Sequence, residues 1–161
     1  MQNGVTVERD DHSTIIDGIY IIKDNGICFA SLDNGKVCEI SSDLMSPFLT
    51  ALDAFTNENF KANIKCIILD DESGQEKRVY FKNVKVHGMQ FKMVAIFSKH
   101  VGFPWRNFGE IDAKFLKFKW ALQEKGWAKY LSRDNIPVDV LGEIREKIAE
   151  LFNMGLSLIH I

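Results

Sequence analysis

Ile15-Ile16-Asp17-Gly18-Ile19-Tyr20-Ile21-Ile22 runs through Lys23-Asp24-Asn25-Gly26 into Ile27-Cys28-Phe29-Ala30-Ser31-Leu32, and the reading of this stretch decides the fold. β-Branched and aromatic residues crowd both flanks of Asn25-Gly26. That dipeptide tolerates the positive φ angles of a two-residue hairpin turn, so two antiparallel strands are predicted. The first strand is apolar at nearly every position. Without apolar/polar alternation it must be covered on both faces, which places it mid-sheet with helices above and below.

Outward from this hairpin, Asp33-Asn34-Gly35 is a second turn, and Lys36 to Ile40 is a short strand or an extended connection. Ser41, Ser42 and Asp43 offer N-cap oxygens to a helix predicted over 43–57. Its expected buried stripe is Leu44, Phe48, Leu52 and Phe55. Pro47 fits if the helix begins at Ser46, or if a distorted turn precedes it. Met45, Leu49 and Ala51 lie off the stripe, which suggests burial by a partner or deeper packing. Ile64 to Asp70 reads as a third strand, Lys77 to Val86 as a fourth, and Gln90 to Ser98 as a fifth whose apolar end again suggests a central position. Turns at Asp71 to Gln75 and His87 to Met89 make the meander antiparallel. From Phe108 the period becomes helical: Phe108, Ile111, Phe115, Phe118 and Leu122 share a face. A break at Gly126-Trp127 and a loop over 132–136 precede a last helix with Pro137 in its first turn and Leu141, Ile144, Ile148 and Leu151 as its stripe. The expected core is Ile19, Tyr20, Ile21, Phe29, Phe48, Leu52, Phe55, Ile67, Phe91, Val94, Ile96, Phe115, Phe118, Leu122, Ile144 and Ile148.

The chain has 161 residues, 46% of them hydrophobic and 26% charged, which suits one globular domain over 15–155. A net charge of -2 gives no electrostatic reason to expect nucleic acid or an anionic membrane as partner. No apolar run has the length of a membrane span, and the polar, acidic start is unlike a signal peptide, so a cytoplasmic location is expected. Residues 1–14 lack periodicity and read as a flexible lead-in, although Val5 and Val7 could add to a sheet edge. Residues 156–161, Leu-Ser-Leu-Ile-His-Ile, match the translated end of an adapter used in transposase-based sequencing libraries. They read as an assembly scar, which would leave the native C-terminus missing; a genuine apolar tail is the alternative. Cys28, Cys38 and Cys66 are odd in number and widely spaced, which favours reduced thiols over disulfides or a metal site.

Local chemistry is sparse. Phosphate-loop, dinucleotide, nucleophile-elbow and zinc motifs are absent, so no catalytic, cofactor-binding or metal-binding residue is nominated and a non-enzymatic role is expected. His12, His87 and His100 fall in predicted loops. Asp70-Asp71-Glu72 reads as a turn, and Glu110 and Asp112 open a helix, where acidic residues complement the dipole. One loop carries the residue types of a binding hot spot: Phe103, Trp105 and Arg106. Phe103 and Trp105 can equally tuck under the following helix.

Two segments resemble a known family. Ile16-Asp17-Gly18-Ile19-Tyr20-Ile21-Ile22-Lys23-Asp24-Asn25-Gly26 is similar to the first hairpin, and Asp43-Leu44-Met45-Ser46-Pro47-Phe48-Leu49-Thr50-Ala51-Leu52-Asp53-Ala54-Phe55 to the first helix, of longin domains and the related roadblock proteins of the profilin-like group, here of prokaryotic or archaeal type. Roadblock proteins usually begin with a helix, whereas a non-helical lead-in stands here and two helices close the chain. That departure favours longin. The resemblance implies an α+β sandwich: a five-stranded antiparallel sheet of order 2-1-5-4-3, with the helix at 43–57 on one face and two C-terminal helices on the other. It also implies a protein-interaction module that binds or regulates a small GTPase, trafficking-type machinery or another longin or roadblock protein. Arg106 alone is not an arginine-finger motif. A small-molecule sensor is the alternative, which an apolar pocket lined by Phe, Met and Trp would mark. In that strand order the third strand is an apolar edge. It is expected to pair with a second copy through Ile64, Cys66 and Ile68, with Met45, Leu49, Asp53 and Thr56 of the first helix at the same seam, as in roadblock homodimers.

Overall fold

The computed structural model describes residues 15–33, 42–70, 72–74, 76–98 and 108–154, and side chains from Ile16 onward except 42–46. In chain order these form β1 (Ile15–Lys23), β2 (Cys28–Asp33), α1 (Ser42–Phe60), β3 (Cys66–Asp70), β4 (Glu76–Val86), β5 (Met89–Ser98), α2 (Phe108–Glu124), a 3-10 helix (Trp127–Ser132) and α3 (Val138–Phe152). The five strands make one antiparallel sheet of order β2-β1-β5-β4-β3, the order expected. The lead-in, the Lys36 to Ile40 segment, the loop with Phe103, Trp105 and Arg106, and the last six residues lie outside the described residues.

β1 is central, and every residue from Asp17 to Lys23 is buried. Ile19 and Ile21 point to one side of the sheet, Tyr20 and Ile22 to the other. The hairpin after it differs from the two-residue turn expected. Gly26 N–H donates to the Lys23 carbonyl and Lys23 N–H to the Ile27 carbonyl, each at 2.9 Å, so Asp24-Asn25-Gly26 forms a three-residue loop. Only Gly26 takes a positive φ, +87°. Asn25 serves through its side chain instead, accepting the Ile27 N–H at 3.0 Å. The β4–β5 turn is the tight one: His87 and Gly88 both have positive φ, 50° and 81°, between the paired Val86 and Met89.

A bulge interrupts β1 at Asp17, where the register against β5 shifts. The buried Asp17 carboxylate accepts from the Ser98 hydroxyl, and Lys77 Nζ donates to the same hydroxyl at 3.1 Å. The extra residue thus carries a carboxylate inward and is satisfied there.

The two faces are covered unequally. On one, Ile19, Ile21, Met93 and Phe97 pack with Ile111, Phe115, Phe118 and Leu122 of α2 and Ile144, Ile148 and Phe152 of α3. This is the larger core, and the helical stripes read from the sequence supply most of it; in α3 Phe152 is buried where the stripe expected Leu151, and Leu141 and Leu151 are only half-buried. On the other face Tyr20, Ile22, Val79, Phe81, Val94 and Ile96 meet α1, of whose described side chains Leu49 alone is buried. Here the expectation fails. Phe48 and Phe55, assigned to the core, are 61% and 56% exposed, whereas Leu49, assigned off the stripe, is 5% exposed. Leu52 and Ile67 are only half-buried.

The sheet explains the rotation of α1. Ile22, Lys92 and Asn83 stand in one cross-strand row on that face, and Lys92 Nζ reaches Asp53 Oδ2 at 2.9 Å. Pairing Asp53 with a lysine that rises from the sheet turns Leu49, Asp53 and Thr56 inward, at i, i+4 and i+7, and leaves the phenylalanines outside. α1 also begins four residues earlier than Ser46, so Pro47 sits inside it and removes the N–H that would reach the carbonyl of residue 43.

Candidate functional site

α1 has two unlike flanks. Phe48, Ala51 and Phe55 follow one another at i, i+3 and i+7 along its exposed side, and Phe60 meets Phe55 edge-on with ring centroids 6.3 Å apart. The next element, β3, is an edge strand among the described residues. Its Ile68 and Leu69 are 54% and 47% exposed and, being adjacent, lie on opposite faces. Leu69 shares the parity of Ile67 and so points to the α1 side. The exposed apolar side chains here are thus Phe48, Phe55 and Phe60 on α1, and Ile68 and Leu69 on the edge strand. Of these, Phe55 and Phe60 are in direct ring contact.

The opposite flank is polar. Lys92 Nζ is held by Asp53 Oδ2 and by Asn83 Oδ1, both at 2.9 Å. The Asn57 amide donates to Asn63 Oδ1 at 3.1 Å across the end of the helix. With Leu49 as its buried anchor, the later turns of α1 stand over this row of polar side chains, and a groove of ≈ 560 Å³ opens between helix and sheet.

The nominated residues divide accordingly. Ile68 is exposed at the edge, while Ile64 and Cys66 are half-buried, Ile64 toward the α1 core and Cys66 toward the α2–α3 core. Burial pushes the Cys66 thiol above its ordinary range, which disfavours the reactive thiolate. Leu49 and Asp53 do not reach the seam: the first is core and the second is spent on Lys92. The Thr56 hydroxyl donates to the Leu52 carbonyl at 2.9 Å. The side chain of Met45 and the residues Phe103, Trp105 and Arg106 are outside the described set. The residues that sequence reasoning missed are Phe48, Phe55, Phe60 and Leu69. The cause of their exposure is the inward-facing polar pair Asn83 and Lys92, which only the strand register places opposite α1.

No protein-family model matches the chain, and no curated protein matches it at a significant level. Among the described residues no helix is long and apolar enough to cross a membrane, and no group of three His, Cys, Asp or Glu side chains is arranged to hold a metal ion.

Proposed function

We propose that this chain is a non-enzymatic interaction domain of longin type that docks a small GTPase or a trafficking-type protein through the outer flank of α1 and the adjoining end of β3. The observation that supports this reading is the exposure of Phe48, Phe55 and Phe60 on one helix. A monomer gains nothing from three half-exposed rings, and aromatic side chains contribute the most per residue when a partner desolvates them. The first-helix resemblance adds the partner class, and the absence of catalytic motifs agrees with a positioning role.

The test is binding of the purified chain to small GTPases of the same genome, each loaded with GDP or a non-hydrolysable GTP analogue. Binding by at least one, weakened about tenfold or more by Phe55→Ser with the fold retained, supports the reading. Binding that Phe48→Ser and Phe55→Ser leave unchanged moves the docking surface elsewhere, and no binding across the set removes the GTPase reading.

A further inference from the structure

We propose that α1 opens from the sheet as a unit of its own while the sheet, α2 and α3 stay folded, and that the Asp53–Lys92 ion pair is the latch that holds it closed. The inference concerns how α1 is attached and does not depend on what docks at its outer flank. α2 is fastened by five buried side chains and α3 by four. Of the described side chains of α1, Leu49 alone is buried, while Leu52 and Thr56 are half-buried. An element with so few buried apolar groups opens at a lower free energy than the core beside it.

The underside and both ends of α1 are built accordingly. Beneath its inner flank, from Thr50 to Glu58, the groove of ≈ 560 Å³ separates the later turns from the sheet, so they stand over open space rather than a packed layer. The lining is mostly polar, unlike the apolar pocket of Phe, Met and Trp that a small-molecule sensor would show: of these types, only Phe91 borders the groove. Lys92 bridges the gap, its ammonium reaching Asp53 and Asn83, each at 2.9 Å. The Lys92 and Asp53 side chains are 13% and 27% exposed, so the pair holds by a charge attraction that water and salt can weaken. At the C-terminal end Lys61 takes a left-handed φ of 54°, with its N–H on the Asn57 carbonyl at 3.0 Å, and irregular backbone leads from there to β3. Hinges are built from such element-terminal residues, where a few backbone angles absorb the motion. At the other end Pro47 denies the carbonyl of residue 43 its helical N–H, which loosens the first turn from the rest. Opening uncovers Tyr20, Ile22, Phe81 and Val94 on the sheet and carries Phe48 and Phe55 away with the helix, so each state presents a different apolar surface.

The test is native-state amide hydrogen exchange of the full chain at low denaturant concentrations, read at residues 51–57 of α1 and at 19–22 and 94–97 of the central strands. Residues 51–57 should share one opening free energy with a measurable denaturant dependence, and their protection should be about tenfold or more below that of the central strands. Ile148→Val weakens the opposite core, so it should lower the protection of the central strands about threefold and leave 51–57 unchanged. Should Ile148→Val leave the central strands unmoved, Phe118→Leu replaces it. Asp53→Asn should lower the protection of 51–57 about threefold. Three results overturn independent opening: protection of 51–57 equal to that of the central strands, a loss at 51–57 that matches theirs in Ile148→Val, or exchange of 51–57 residue by residue without denaturant dependence, which is fraying. Protection of 51–57 unchanged in Asp53→Asn overturns the latch.

Discussion

The Tyr80 hydroxyl donates to Asp112 Oδ1 at 2.7 Å and so joins β4 to α2. The ring lies parallel to Phe108 and Phe115, with centroids 4.6 and 6.3 Å away. Burial, then the hydrogen bond the hydroxyl donates to Asp112, raises the Tyr80 hydroxyl above its ordinary pKa. The folded state therefore keeps a proton that the unfolded chain loses near pH 10. Stability from this group is complete below that pH and is lost as pH rises through the raised folded value. Tyr80→Phe should cost about 1 kcal/mol at pH 7, and its unfolding free energy should fall less steeply than wild type above pH 10. Cys66, raised by burial, contributes in the same direction in both proteins. Urea unfolding at pH 7 and pH 10.5 measures the difference; parallel pH profiles would show that Tyr80 ionises normally.

The rotation of α1 separates stability from recognition. Leu49→Ala should cost about 2 to 4 kcal/mol, comparable with the about 3 to 5 kcal/mol expected for Phe118→Ala in the larger core. Phe55→Ser should lie within about 0.5 kcal/mol of wild type, because its ring is more than half exposed. Chemical unfolding of the three variants decides. A large loss for Phe55→Ser together with a negligible one for Leu49→Ala would restore the helix phase predicted from sequence.

The sequence made the sheet legible because its central strands carry their burial in composition: Ile19 to Ile22 and Met93 to Phe97 are apolar on both parities. It made α2 and α3 legible because their stripes face an apolar sheet, so periodicity and burial agree. α1 was misread because its partner surface is mixed. Periodicity assigns the most apolar stripe inward, but Lys92 offers Asp53 a partner inside, and Leu49 is the residue in phase with Asp53. Knowing that Lys92 opposes α1 requires the strand register, which sequence patterning does not supply. The same register hides the groove, whose lining comes from five separate segments of chain.

Gly26 is the point where the first hairpin touches α1. Its φ is +87°, and a Cβ there would lie 3.2 Å from Thr50 Oγ1. Gly26→Ala therefore meets both a left-handed backbone and a crowded neighbour, and should cost about 1 to 2 kcal/mol from the backbone alone. Thr50→Ala in the same chain should recover only the steric part. Thermal unfolding of the single and double variants separates the two contributions, and an unchanged midpoint for Gly26→Ala would mean that the loop relaxes into another turn.

Self-association through β3 is the remaining expectation, and the structure changes which residues should carry it. β3 pairs with β4 on one side and has no strand on the other among the described residues, so part of its backbone N–H and C=O groups face outward. Antiparallel addition of a second copy satisfies those groups about a two-fold axis and juxtaposes Ile68 with its symmetry mate. Leu49 and Asp53 cannot contribute, being occupied in the core and by Lys92. Leu69 on β3 and Phe60 at the end of α1, both exposed, are the side chains expected to replace them. Ile68→Lys places a charge on each copy at the centre of that contact, as natural edge strands do to prevent pairing, and leaves the monomer core untouched because Ile68 is 54% exposed. Sedimentation equilibrium at micromolar concentration should give a dimer for wild type and a monomer for Ile68→Lys, with Phe60→Ser shifting the equilibrium toward monomer. A wild-type monomer, or a dimer that survives Ile68→Lys, would sink the proposed seam.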